Sequence, residues 1–228
     1  MRYMIHSCPV RHWYVEDYLV PSMAAQGIRE EDITVWLDAE GRGNLLSCME
    51  SFKECGRHPG GTWHLQDDAV ICRDFAARTM EHDDGIVCGF AYAKDVRKRG
   101  PRKGIVNLQD MWWSFQCIRI PNRVAGECAE WFFTDAVHRE KYGRYIRENK
   151  HDDMFFRDFL LERYGDIKVL NLAPNLTDHI DYLIGGSVIN SDRGYPMTRT
   201  AFWADETVVE ELKEKLKNDK RARATVFF

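Results

Sequence analysis

The chain of 228 residues lacks several things, and each absence excludes a class. It has no apolar run near the ~20 residues that a membrane-spanning helix needs. The apolar stretch in Met1-Arg2-Tyr3-Met4-Ile5-His6 is too short and too interrupted for a signal peptide. There is no Cys-x-x-Cys pair. The seven cysteines are odd in number and scattered, which argues against a disulfide framework or a zinc knuckle and for a reducing, cytoplasmic setting. Excess positive charge is missing too: 32 Lys plus Arg face 36 Asp plus Glu, a net charge of −4. A mildly acidic chain is a poor nucleic-acid coat, although local basic patches remain open. Internal repeats, low-complexity segments and linker-like composition shifts are absent, so residues 1–228 read as one domain.

What is present is a globular profile, 44% hydrophobic and 30% charged. Short apolar runs alternate with helical stretches, which predicts βαβ units and an α/β fold. Strands are expected at Tyr3–Cys8, Ile33–Leu37, Thr62–Leu65, Ile86–Tyr92, Ser114–Ile120 and Ile167–Leu172. Helices are expected from Arg11 to Gln26, capped by Gly27 and kinked or divided at Pro21. Another follows Asn44, a natural N-cap, with Leu45, Cys48, Met49, Phe52 and Cys55 on one face. Further helices are expected at Asp74–Met80, starting at Pro121-Asn122, from Asp153 to Tyr164, and from Glu206 to Lys220.

The most informative segment is Trp63-His64-Leu65-Gln66-Asp67-Asp68-Ala69-Val70-Ile71. Two adjacent carboxylates sit between apolar runs, where unpaired charge is costly. A hard divalent cation, Mg²⁺ or Mn²⁺, is a suitable partner. Ligands of open α/β sheets collect at the carboxyl ends of strands. A plain turn, with the aspartates accepting backbone hydrogen bonds, is the alternative.

Other segments add to this one. Pro9-Val10-Arg11 follows the first strand, Asp38 ends the second, and Asn171-Leu172-Ala173-Pro174-Asn175-Leu176-Thr177-Asp178-His179 carries a strand, a proline loop and a histidine. In this order the motifs make residues Tyr3 to Arg193 resemble nucleotide-sugar glycosyltransferases of the GT-A type, nearest to the lipopolysaccharide-type family. The resemblance implies a single GT-A-like, Rossmann-like domain with a mostly parallel mixed sheet flanked by helices. Residues 1–92 would form the nucleotide-binding half, 105–200 the acceptor and metal-closing half, and 206–220 a terminal helix. It implies a Mn²⁺- or Mg²⁺-assisted transfer of sugar from a nucleotide-sugar, most typically a UDP-sugar, to a glycan or other hydroxyl acceptor.

The family's acidic motif reads Gln66-Asp67-Asp68 here, with Gln66 departing from its first acidic position. Asp68 then becomes the main metal ligand, with Asp67 acting through water or on the ribose. His179 becomes a further ligand, sound as a neutral imidazole beside carboxylates. Pro9 and Arg11 would cradle the nucleotide, Arg11 on a phosphate or base. Asp38 would meet base or ribose, or else make an Asx turn. Asn44 would reach the nucleotide, or simply cap its helix. Arg193 would contact phosphate, with Gly185-Gly186-Ser187 closing over it. If the mechanism inverts, Asp153, or its neighbour Asp152, at a helix start is the general base; capping is the plainer role.

Trp112 and Trp113 are core residues or an acceptor platform. Lys94 to Lys103 carries six basic residues in ten, either a solvated loop or a grip for an anionic acceptor or a nucleic acid with a modified base. Two alternatives to a transferase therefore stand: a non-catalytic nucleotide or nucleotide-sugar binding module of the same fold, and a nucleic-acid modifying or binding protein using this basic loop.

Overall fold

The structure is a computed structural model that describes residues 1–90, 104–107, 115–134, 152–184 and 206–224. It is α/β, with a mostly parallel mixed sheet flanked by helices. The first strand, β1 (Arg2–Ser7), pairs in parallel with β2 (Ile33–Leu37) on one side and β3 (Gly61–Gln66) on the other. Beyond β3 come β7 (Cys117–Pro121), β5 (Val87–Cys88), β8 (Lys168–Asn171) and β6 (Gly104–Asn107). The order is β2-β1-β3-β7-β5-β8-β6, and only β7 and β6 run against the other five. A separate two-stranded ladder joins β4 (Ala69–Ile71) to β9 (Thr177–His179).

Alternation along the strands explains the two cores. Tyr3 and Ile5 of β1, with Trp63 and Leu65 of β3, face a helical layer on one side. That layer holds α1 (His12–Tyr14), α2 (Val20–Ala24), α4 (Phe75–Met80), α7 (Glu206–Leu216) and α8 (Lys220–Ala224). Met4 of β1 and Ile118 and Ile120 of β7 face the other side, against α3 (Asn44–Cys55), α5 (Asn122–Thr134) and α6 (Asp152–Tyr164). Phe52, Phe115 and Phe156 meet there with ring centroids 5.4 to 5.8 Å apart. Helices α3 and α5 cross at two glycines: a Cβ on Gly56 would lie 2.6 Å from the Gly126 Cα.

Several expected elements change in detail. The helix after β1 is divided, as Pro21 suggests: a wide π-type stretch, Val15–Leu19, lies between α1 and α2. Pro21 has no N–H to donate to the carbonyl of residue 17, so the regular ladder fails there. Asn44 is not the cap of α3; Gly43, at φ 100°, takes that place and no side chain caps the helix. Pro121 ends β7 instead of opening a helix. Strand β6, and the β4–β9 ladder, were not expected from the sequence. The basic loop, Trp112, Trp113, Arg193 and the segment 185–187 lie outside the described residues. No helix among the described residues is long and apolar enough to cross a membrane.

Candidate functional site

Because β1, β2 and β3 are parallel and in register, their carboxyl ends meet at one edge of the sheet. Ser7 stands opposite Leu37, and His6 opposite Gln66. The chain leaves β1 through a turn closed by Arg11 N–H donating to Cys8 O at 3.1 Å, with Pro9 and Val10 exposed. It leaves β3 at Asp67-Asp68. The two exits are tied directly, since the Cys8 N–H donates to Asp67 Oδ2 at 2.8 Å.

Arg11 folds inward over the acidic pair. Its Nη2 is 3.2 Å from Asp67 Oδ1, and its Nη1 donates to Asp68 Oδ2. Arg11 is only 8% exposed and each aspartate 4%. The guanidinium is therefore a buried counter-charge, neither a surface arginine nor one already turned toward a ligand. Its Nε–H is buried with no partner.

The histidine arrives by backbone pairing. In the β4–β9 ladder Ala69 stands opposite His179, and the Ile180 N–H donates to Asp68 O at 2.9 Å. Tyr14 OH, donating to Ala69 O at 3.0 Å, holds the same corner from the helical side. His179 Nε2 consequently lies 3.3 Å from Asp68 Oδ2, and its Nδ1 lies 3.1 Å from Asp181 Oδ1. The structure thus brings Arg11, Asp67, Asp68 and His179 together, and adds Asp181, which sequence reasoning missed.

Burial and charge divide the two aspartates. Burial opposes the Asp68 charge, but Arg11 and His179, helped by Gln116, outweigh it and hold its carboxyl below the usual range. Asp67 has less help; burial dominates, Asp68 adds repulsion, and its carboxyl is pushed up. Burial also opposes the His179 charge, yet Asp68 and Asp181 together raise its affinity for a proton. Gln66 does not stand among these charges as an unused group: its Oε1 accepts from Gln116 Nε2 at 2.6 Å.

The remaining candidates separate. Asp38 is committed to its own loop, accepting from Arg42 N at 2.9 Å and Gly43 N at 2.8 Å, so the Asx-type turn is its role here. Asn44 Nδ2 instead donates to Asp152 Oδ1 at 2.7 Å, linking α3 to the start of α6. Asp152 is 5% exposed, and burial first, then Asp153, pushes its carboxyl up to about 8. Asp153 is half-buried and accepts from the Met154 N–H at 2.8 Å. Beside Gln66, His6 Nε2 and His64 Nδ1 lie 3.0 Å apart. Burial keeps both rings neutral, pulling His6 down to about 4. A single histidine on each of two different strands carried no spacing signal that would have revealed this pair.

The donor chemistry of the corner suits a hard cation. Two ligands at right angles, each ~2.1 Å from Mg²⁺, stand about 3 Å apart, and Asp68 Oδ2 and His179 Nε2 are 3.3 Å apart. Carboxylate with imidazole is equally sound for Mn²⁺. The guanidinium of Arg11, however, already fills the space over both carboxylates. Among the described residues no three His, Cys, Asp or Glu side chains surround a common point. Compared with known proteins, the chain matches no family model and no curated sequence.

Proposed function

We propose that the protein is a nucleotide-sugar glycosyltransferase of GT-A type that binds its donor at the carboxyl ends of β1, β2 and β3. One observation carries this reading. Residues distant in sequence, Asp68 and His179, are brought within 3.3 Å of each other beside a buried arginine, at the sheet edge where α/β folds collect ligands. Bound there, Mn²⁺ or Mg²⁺ would offset charge on a departing nucleoside diphosphate. Asp68 and His179 would hold it, and Arg11 would take up phosphate oxygens. Asp152, poised near neutrality beside Asn44, fits an acid–base role toward the acceptor hydroxyl better than Asp153 does.

A second reading has its own support. The acidic pair is already neutralised by Arg11, and Gln66 is engaged by Gln116. A module that binds a nucleotide without turning it over is compatible with that. A panel of nucleotide-sugars, assayed for Mn²⁺-dependent donor hydrolysis alongside calorimetric binding, decides. Hydrolysis that disappears in Asp68→Ala supports the transferase. Binding without turnover assigns the module, and neither binding nor turnover with any donor removes both.

A further inference from the structure

We propose that Ser7, His12 and Glu16 form a second reactive site, in which Ser7 is the nucleophile that transfers the acyl group of a small carboxylic ester to water. The proposal does not depend on the nucleotide-sugar reading, in which none of the three residues has a part. It starts from the last residue of β1. Tyr3 and Ile5 face the layer that holds α1, and the period of two along the strand turns Ser7 the same way. Ser7 Oγ lies 3.3 Å from His12 Nδ1, the nearer of its two acceptors; the other, Cys8 O, is at 3.4 Å. His12 Nε2 in turn lies 3.3 Å from Glu16 Oε1. Glu16 belongs to the π-type stretch Val15–Leu19, a distortion that is frequent at functional sites.

The order of the groups gives the ring its role. A carboxylate only accepts, so Glu16 places the His12 proton on Nε2. Nδ1 is then a bare lone pair that faces the serine hydroxyl, the tautomer a general base requires. A helix-surface pair four residues apart needs no serine; here the other nitrogen of the same ring reaches a hydroxyl at a strand end. Main-chain hydrogen bonds fix that end on both sides. The Asp38 N–H donates to Ser7 O at 2.9 Å, and the Cys8 N–H donates to Asp67 Oδ2 at 2.8 Å. The nucleophile is thus positioned before a reactant arrives. Ser7 is 6% exposed, which limits the reactant to a small acyl group, while the His12 side chain, at 26%, meets solvent. As Ser7 Oγ bonds to the carbonyl carbon, its proton passes to His12 Nδ1. The bond from that carbon to the alcohol oxygen breaks, and the departing oxygen takes the proton. Water then attacks the acyl-serine, gives a proton to His12 Nδ1, and Ser7 Oγ recovers it as the carboxylic acid leaves. Glu16 touches no reacting atom and is a positioning residue.

The test labels the full chain with a fluorophosphonate, which loses fluoride as it bonds to an activated serine, and maps the adduct by peptide mass spectrometry. Heat-unfolded protein gives the background. Native wild type should carry the phosphonate on Ser7, and unfolded protein should not. Ser7→Ala should carry none. His12→Ala should slow labelling about 10²-fold or more, as loss of a general base does. Glu16→Ala should slow it about 2- to 5-fold, the scale of an exposed pair, and Glu16→Gln, which keeps an acceptor, should restore the wild-type rate. Hydrolysis of p-nitrophenyl acetate should fall in the same order. Should Ser7→Ala not fold, the wild-type adduct map and His12→Ala still decide, because the His12 ring is partly exposed. Native wild type with no phosphonate on Ser7 overturns the proposal, as does an unchanged rate of Ser7 labelling in folded His12→Ala.

Discussion

Asn44 and Asp152, 108 positions apart, are joined by a 2.7 Å hydrogen bond from the amide Nδ2 to the carboxyl Oδ1. The bond ties the first residue of α3 to the first residue of α6, and it sits where the carboxyl is almost wholly shielded from water. An amide donor steadies the ionised form, yet burial and Asp153 prevail, and the carboxyl is pushed up to about 8.

That shift has a sign. A carboxyl raised in the folded state contributes its stability below its unfolded value, and the contribution is lost as pH rises through the folded value. Between about pH 4 and pH 8 the native protein should therefore lose stability that Asp152→Asn does not lose. Urea unfolding at pH 5 and pH 8.5 should show the variant gaining on wild type by on the order of 1 kcal/mol or more. A pH-independent difference would mean that the buried carboxyl does not titrate there.

For catalysis, Asp152→Asn should lower kcat by about 10²-fold or more while donor affinity changes little, as removal of a general base does. Asp153→Asn should have the smaller effect on kcat. Equal losses in kcat and in donor binding for Asp152→Asn would assign it to holding α6 in place.

His179 offers a spectroscopic check. Asp68 and Asp181 hold its imidazole above its ordinary 6.5 despite burial. The stability that this supplies is complete below 6.5 and fades as pH climbs past the raised value. Titration of the His179 ring followed by NMR should place its midpoint above 6.5 in wild type and lower in Asp68→Asn. An unchanged midpoint would show that Asp68 is not its partner in solution.

Gly126 tests the frame that carries Asn44. A Cβ at this position would come 2.9 Å from the Gly56 Cα, a main-chain atom that no rotamer can move aside. Gly126→Ala should cost about 1–3 kcal/mol in denaturant unfolding through overpacking between α3 and α5. No change in the midpoint would show that the helices separate freely.

The sheet edge was readable because β1, β2 and β3 each announce themselves as an apolar run ending in a polar residue, at Ser7, Asp38 and Gln66. Parallel pairing then places those ends side by side. The helix faces followed from the spacing of Leu45, Cys48, Met49 and Phe52, all buried. The clasp of Arg11 on Asp67 and Asp68 was not readable, since a charge pair between distant residues leaves no periodic trace. Asn44 misled for a physical reason. Its residue type suits a cap, but Gly43 reaches the conformation that the position requires, which frees the amide for Asp152. The strands β4 and β9, three residues each, are shorter than any pattern with period two can declare.

The small ladder between those strands separates architecture from reactivity. It is main-chain hydrogen bonds that seat positions 68 and 179 beside each other, whatever side chains they bear. Exchanging the side chain at position 179 therefore leaves in place the main-chain pairing that brings that position beside Asp68.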